Sequence, residues 1–199
     1  MEIEIISATA NPLDVIALAA GTSYGKNDKK HSRVRNVFNA GHMSCFEHAS
    51  VTFRVNGISR ACSHQLVRHR LASYVQKSQR YTKVDSGDDW YVQPPVFNNP
   101  DCGVFFDKAM FEMQQLYWDA IEAGIKPEDA RYLLPEATKT EITCTMNVRT
   151  LFHFLNLRTD SHAQWEIRYM ANELWQEIAR IDNQWAELMG LWSIGTVAE

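Results

Sequence analysis

The feature that most limits the folds open to this chain is the interleaving of two hydrophobic periods. Glu2, Ile3, Glu4 and Ile5 alternate in the period-two manner of a half-buried strand. Val51, Phe53 and Val55 do the same with Thr52 and Arg54, and so do Ile142, Cys144 and Met146 with Thr143 and Thr145. Between these segments the period becomes helical. Asn11 and Pro12 offer a cap and a first-turn proline for an apolar helix running to about Gly21. Val34, Val37 and Phe38 recur at helical spacing up to Gly41, which reads as a left-handed C-cap, and Ser59 can cap a helix carrying Gln65 towards Arg68. Phe106, Ala109, Met110, Met113, Leu116, Tyr117, Ala120 and Ile121 hold one helical face until Gly124, and a short helix is expected over 128–134. After the third strand Leu151, Phe152 and Leu155 restore the helical period. A last long helix closes the chain, with Ile167, Met170, Ala171, Leu174, Ile178, Ile181 and Trp185 on its buried side. Residues 71–92 keep neither period and read as an ordered loop with short extended pieces. Strands interleaved with helices mean α/β or α+β, because the pattern carries no strand direction.

A chain of 199 residues, 45% of them hydrophobic, can bury its own core as one domain over 1–199 without covalent staples. Cys45, Cys62, Cys102 and Cys144 have neither C-x-x-C spacing nor the density of a secreted disulfide scaffold, which points to a reducing cytoplasm. No apolar stretch approaches the roughly 20 residues that span a bilayer, and the first six residues alternate charge and apolarity instead of forming a signal peptide, so no membrane association is expected. The histidines include no H-x-x-x-H or H-x-H pair near a carboxylate, and no metal is expected. The net charge of −4 opposes a general attraction to nucleic acid, which would have to use Arg68, Arg70, Arg80 and Lys83 on phosphates and Tyr74 or Tyr81 on bases. The basic residues therefore need a local explanation.

That explanation lies in Arg68-His69-Arg70-Leu71-Ala72-Ser73-Tyr74-Val75-Gln76-Lys77-Ser78-Gln79-Arg80-Tyr81. Arginine presents fixed donors that grip a phosphate or a planar imide in a two-pronged way, and serine hydroxyls with loop N–H groups complete an anion's coordination. The run suits a phosphorylated, planar ligand. Its spacing, Arg-His-Arg, seven residues, Ser, one residue, Arg, closely resembles the signature of the flavin-dependent thymidylate synthases. Three further blocks resemble that family in order: Gly41-His42-Met43-Ser44-Cys45-Phe46-Glu47-His48 upstream, then Ala130-Arg131-Tyr132-Leu133-Leu134-Pro135 with Met146-Asn147-Val148-Arg149, and finally residues 156–167.

The resemblance implies an α+β fold with a central, mostly antiparallel sheet flanked by helices, unlike the Rossmann type and in keeping with the lack of any G-x-G-x-x-G. It implies that Ser44, Arg68, His69, Arg70, Asn147, Arg149 and His153 contact FAD. Gln65, Arg68, Ser78, Gln79, Arg80, Arg131 and Arg158 would contact dUMP, and His42 would lie on the folate and nicotinamide side. Arg158 would be catalytic, stabilising the deprotonated uracil so that ring carbon becomes nucleophilic without attachment to protein. Ser78 is assigned to binding, because no neighbour in the motif supplies a general base. NADPH and methylenetetrahydrofolate follow as cosubstrates, and a homotetramer with active sites shared between subunits as the assembly. Val75, Gln76 and His153 depart from residues common at those positions in relatives, and no cysteine stands in the Pro-Cys-His context of the unrelated cysteine-dependent synthases.

Overall fold

The computed structural model describes residues 1–87 and 89–196. The three alternating segments and one extended piece of the 71–92 region become strands β1 (Glu2–Ala8), β2 (Ser50–Ser59), β3 (Ser73–Gln76) and β4 (Lys139–Asn147), in the order β1-β2-β4-β3. Their register fixes direction. Thr9 N–H donates to Ser50 O at 2.9 Å while Glu4 pairs with Arg54. Val148 N–H donates to Ala49 O at 2.9 Å while the Thr52 and Thr145 hydroxyls meet at 2.9 Å, and Lys77 N–H donates to Glu141 O at 2.8 Å. Rising numbers on one strand meet falling numbers on the next, so the sheet is antiparallel and the class is α+β.

The helices are α1 (Pro12–Thr22), α2 (His31–Asn39), α3 (Arg60–Leu66), α4 (Pro100–Glu122), α5 (Pro127–Ala130), α6 (Val148–Arg158), α7 (Trp165–Ala179) and α8 (Asn183–Thr196). No helix among the described residues is long and apolar enough to cross a membrane. The chain divides into two compact units, one made of Met1–Val55, Gln65–Tyr74 and the residues from Thr143 onward, the other of Asn56–His64 and Val75–Ile142. In the first, Val51, Phe53 and Val55 of β2 and Cys144 and Met146 of β4 are buried with Leu13, Ile16, Leu151, Phe154, Ile167, Met170, Leu174 and Trp185. Phe38, Phe46 and Phe152 pack edge to face or tilted, with centroids 5.8–5.9 Å apart. In the second, Tyr117 and Ala120 of α4 close over Ala130, with Val84, Trp118, Ile121 and Leu134 at their margin.

Several sequence expectations need correction. Asn11 does not cap α1 with its side chain: it sits in the left-handed region at φ 51°, and the orphan N–H of Leu13 is met by Gln184 Oε1 at 2.9 Å, while Asp14 N–H donates to Asn11 O at 3.0 Å and also reaches Gln184 Oε1 at 3.3 Å. The expected single closing helix is two. Asp182 Oδ1 accepts from Gln184 N–H at 2.8 Å and Trp185 N–H at 2.9 Å, an N-cap that starts α8 and removes Trp185 from the helix that holds Trp165 and Trp175. On α4, Leu116 is 55% exposed while Gln114 is buried, because its amide donates to Asp85 O and Gly87 O at 3.0 and 3.1 Å. The expected 128–134 helix is α5 followed by a 3-10 turn, Arg131–Leu133. The Ser59 cap is present, with its hydroxyl accepting from Cys62 N–H at 3.0 Å, and Gly41 lies at φ 71°, where its N–H and that of His42 close α2 onto Phe38 O and Val37 O.

Candidate functional site

Helix α6 begins where Asn147 ends β4 and accepts Thr150 N–H at 2.9 Å on its side-chain oxygen. From that start the 3.6-residue turn sorts the helix into two faces. Leu151, Phe152, Phe154 and Leu155 go into the core, while Arg149, His153 and Leu157, spaced by four, line a cavity together with Thr150 and Arg158. The other wall is the segment after α3: Arg68, His69, Arg70 and Leu71, tied down where Thr150 Oγ1 donates to Leu71 O at 3.2 Å. The cavity is about 740 Å³, within the range of sites that enclose small molecules and cofactors. Four guanidinium groups line it. Arg149 is paired with Glu47 at 2.5 Å, whereas Arg68 and Arg70 form no ion pair among the described residues, so the lining is strongly electropositive and fits a diphosphate and an imide.

Arg158 is held at the C-terminal end of α6, where the helix dipole favours a cation. Its Nε donates to His69 Nε2 at 3.0 Å and its Nη2 to Gln65 O at 3.3 Å. Two of five N–H groups are thereby engaged and three remain for a ligand. His69 is 6% exposed, with Phe154 edge-on at 5.0 Å and His153 at 5.8 Å. Burial, then the charges of Arg158 and His153, push its pKa down to about 4, so the ring is neutral at physiological pH. Below it, Tyr74 Oη shares its one proton between Leu66 O and His69 O, each at 2.9 Å.

The remaining dUMP candidates, Ser78, Gln79, Arg80 and Arg131, lie in the second unit. Gln79 and Arg131 line a cavity of about 340 Å³ with Arg60, His64, Tyr132 and Glu136. Arg131 is oriented through Nε to Glu128 O at 3.0 Å. Ser78 opens a turn in which its hydroxyl accepts Arg80 N–H at 3.2 Å and its carbonyl accepts Thr82 N–H at 3.0 Å. Arg80 grips Glu128 Oε2 with Nε and Nη2 at 3.3 and 3.2 Å and lies 5.4 Å over Tyr81. The structure thus places Arg68 and Arg158 around the first cavity, with Gln65 joined to it only through its carbonyl on Arg158, and Gln79 and Arg131 around the second.

Ser44 and His42 are exposed, at and before the 3-10 turn Met43–His48, and line neither cavity; Glu47 of that turn links it to Arg149. Gln76 is internal, its amide donating to Ser63 Oγ at 2.8 Å and Thr140 Oγ1 at 3.2 Å. Sequence reasoning missed Thr150 and Leu157, which share the helical spacing of Arg149 and His153 and were findable from it, and Arg60, His64 and Glu136, which no local pattern marks. Cys62 and Cys144 are buried, and burial raises the Cys144 thiol to about 12, which leaves it protonated and inert. Tyr74 is anchored inward, and the exposed Lys83 lies over the Trp118 ring. Among the described residues no group of three His, Cys, Asp or Glu side chains is placed to hold a metal ion.

Residues 4–182 match the family model described as thymidylate synthase complementing protein. A flavin-dependent thymidylate synthase of Thermococcus onnurineus is 40% identical over 94% of this chain and 84% of its own length. One from Geobacter sulfurreducens is 40% identical over 87% of this chain and 80% of its own. Among solved structures, the UMP/dUMP methylase PolB from Streptomyces cacaoi, bound with 5-Br dUMP, superposes with a TM-score of 0.82 at 27% identity, covering 95% of this chain and 94% of that one. Thymidylate synthase X from Helicobacter pylori, with FAD and dUMP, superposes with a TM-score of 0.78 at 26% identity, covering 95% and 97%.

Proposed function

This chain belongs to the thymidylate synthase complementing protein family, and from that membership we propose that it is a flavin-dependent thymidylate synthase. It methylates dUMP reductively to dTMP, with methylenetetrahydrofolate as carbon donor, and it does so as a single domain in the cytoplasm. The observation that carries this reading is the first cavity, in which an oriented, unneutralised Arg158 stands among three further arginines. With FAD bound, the site would gain hydride chemistry, with NADPH as the reductant. Arg68, Arg70 and Arg149 would hold the cofactor's anionic groups, with His153, Ser44 and the Asn147 amide nitrogen as further contacts. His42 serves the folate and nicotinamide side.

Arg158 acts by charge. Its free N–H groups meet the uracil imide and stabilise the negative charge that builds on it, which strengthens the ring carbon as a nucleophile. The protein needs no covalent adduct, in keeping with a buried, protonated Cys144 and with a Ser78 hydroxyl whose partner is the Arg80 N–H, a donor and not a base. Gln65, Arg68, Ser78, Gln79, Arg80 and Arg131 bind the nucleotide. A chain of 199 residues serving three large ligands draws surface from neighbours, and we assign it to a homotetramer with shared sites. The outward residues of α4, with Val104, Phe105, Phe111 and Leu116 all more than half exposed, are apolar enough to be covered in such an assembly.

Arg158→Ala tests the mechanism: dTMP formation should collapse while FAD remains bound, and wild-type turnover in the variant would remove the assignment. Flavin absorption bands that shift on adding dUMP test the substrate, with UMP as the comparison; a response to UMP alone would redirect the reading to ribonucleotides. Sedimentation at micromolar concentration tests assembly, and a fully active monomer would contradict shared sites.

A further inference from the structure

We propose that His69 is a positioning residue for Arg158, a neutral hydrogen-bond acceptor that aims the guanidinium without cancelling its charge. The proposal rests on the reading of Arg158 as the uracil-facing group and assigns His69 a task other than flavin contact. The geometry is asymmetric. An arginine N–H carries no lone pair, so the 3.0 Å contact from Arg158 Nε requires the lone pair to be on His69 Nε2, with any ring proton on Nδ1. Protonation at Nε2 would remove the acceptor and set two cations at that distance.

The ring has little freedom to answer any other call. From β3, Tyr74 Oη fixes the His69 carbonyl; from α3, Leu66 O accepts His69 N–H at 3.1 Å, and Gln65 O takes the second Arg158 contact. From α6 come Phe154, His153 and Arg158 itself. Both charged or titratable groups facing the ring, Arg158 and His153, are bases, and they reinforce burial in keeping the imidazole neutral.

Neutrality is what the chemistry needs. A carboxylate at this position would orient Arg158 equally well, but it would offset the positive charge that the developing uracil anion must meet. Imidazole supplies direction alone. An amide can do the same, which gives the proposal its discriminating variant.

The test uses the FAD-loaded enzyme with His69→Gln, His69→Phe, Arg158→Ala and the His69→Phe/Arg158→Ala double variant, reading kcat, KM for dUMP and flavin content. In His69→Phe, kcat should fall about 100-fold, the scale of a misplaced reacting group, with flavin content unchanged. His69→Gln should stay within about threefold of wild type, and the double variant should be no slower than Arg158→Ala alone, because nothing is left to aim. Full kcat in His69→Phe, flavin loss that tracks the rate, or losses that multiply in the double variant would each overturn the proposal. Histidine-selective 15N NMR of the unsubstituted holoenzyme decides independently of turnover and of how the variants fold: an unprotonated His69 Nε2 at pH 7 is expected, and a protonated one overturns the assignment. Absence of dTMP in the wild type would fail the synthase reading, while this measurement would still judge the hydrogen bond.

Discussion

Mild acid should destabilise this fold through one buried imidazole. Unfolded, His69 takes up its proton near 6.5; in the fold, burial first and then the facing charges of Arg158 and His153 delay that to about 4. Across this window the native state binds fewer protons than the unfolded chain, so stability is complete above pH 6.5 and is lost as the pH falls towards 4. Two and a half pH units at about 1.4 kcal/mol each give a loss of about 3 kcal/mol per chain. With the residue only 6% exposed, solvent screens little of this. The carboxylates act in a separate range. Asp14, Asp28, Asp89 and Asp160 have lowered values, so their contributions are present above the ordinary 3.8 and lost only below it. Urea unfolding at fixed protein concentration, from pH 7 to 4.5, should therefore show wild type losing at least about 2 kcal/mol more than His69→Gln, which has no proton to take up at this position. Parallel stability curves for the two proteins would refute the argument.

The other expectations concern sites of known geometry. Gly41→Ala places a Cβ on a residue at φ 71° with open space around it, so the cost is backbone strain alone, about 1 to 2 kcal/mol, seen as a lower thermal midpoint; an unchanged midpoint would contradict the left-handed cap. Asp182→Ala removes the acceptor for two N–H groups at the start of α8 and should cost about 1 kcal/mol, with Asp182→Asn close to wild type; equal losses in both would show that the cap does not matter. Arg158→Ala should reduce dTMP formation to a small residual rate and, by removing the second cause of its depression, raise the His69 pKa from about 4 while burial keeps it below 6.5. NMR titration reads this, and an unmoved value would deny the electrostatic contact.

The four similar blocks made the family legible in the sequence, and period-two and helical patterns located three of the four strands and most helices. Those patterns depend on neighbours in the chain, and the sequence contains them in full. Where a partner comes from a distant residue, the linear pattern misled: Gln184 caps α1 in place of the Asn11 side chain, and two loop carbonyls draw Gln114 inward. Arg158 and His69 were both picked out by motif, yet their 3.0 Å contact joins positions 89 residues apart. The sequence alone determined which groups carry the charge. Only the tertiary structure decided that a neutral ring orients it, because direction and protonation follow from burial and from what folding brings alongside.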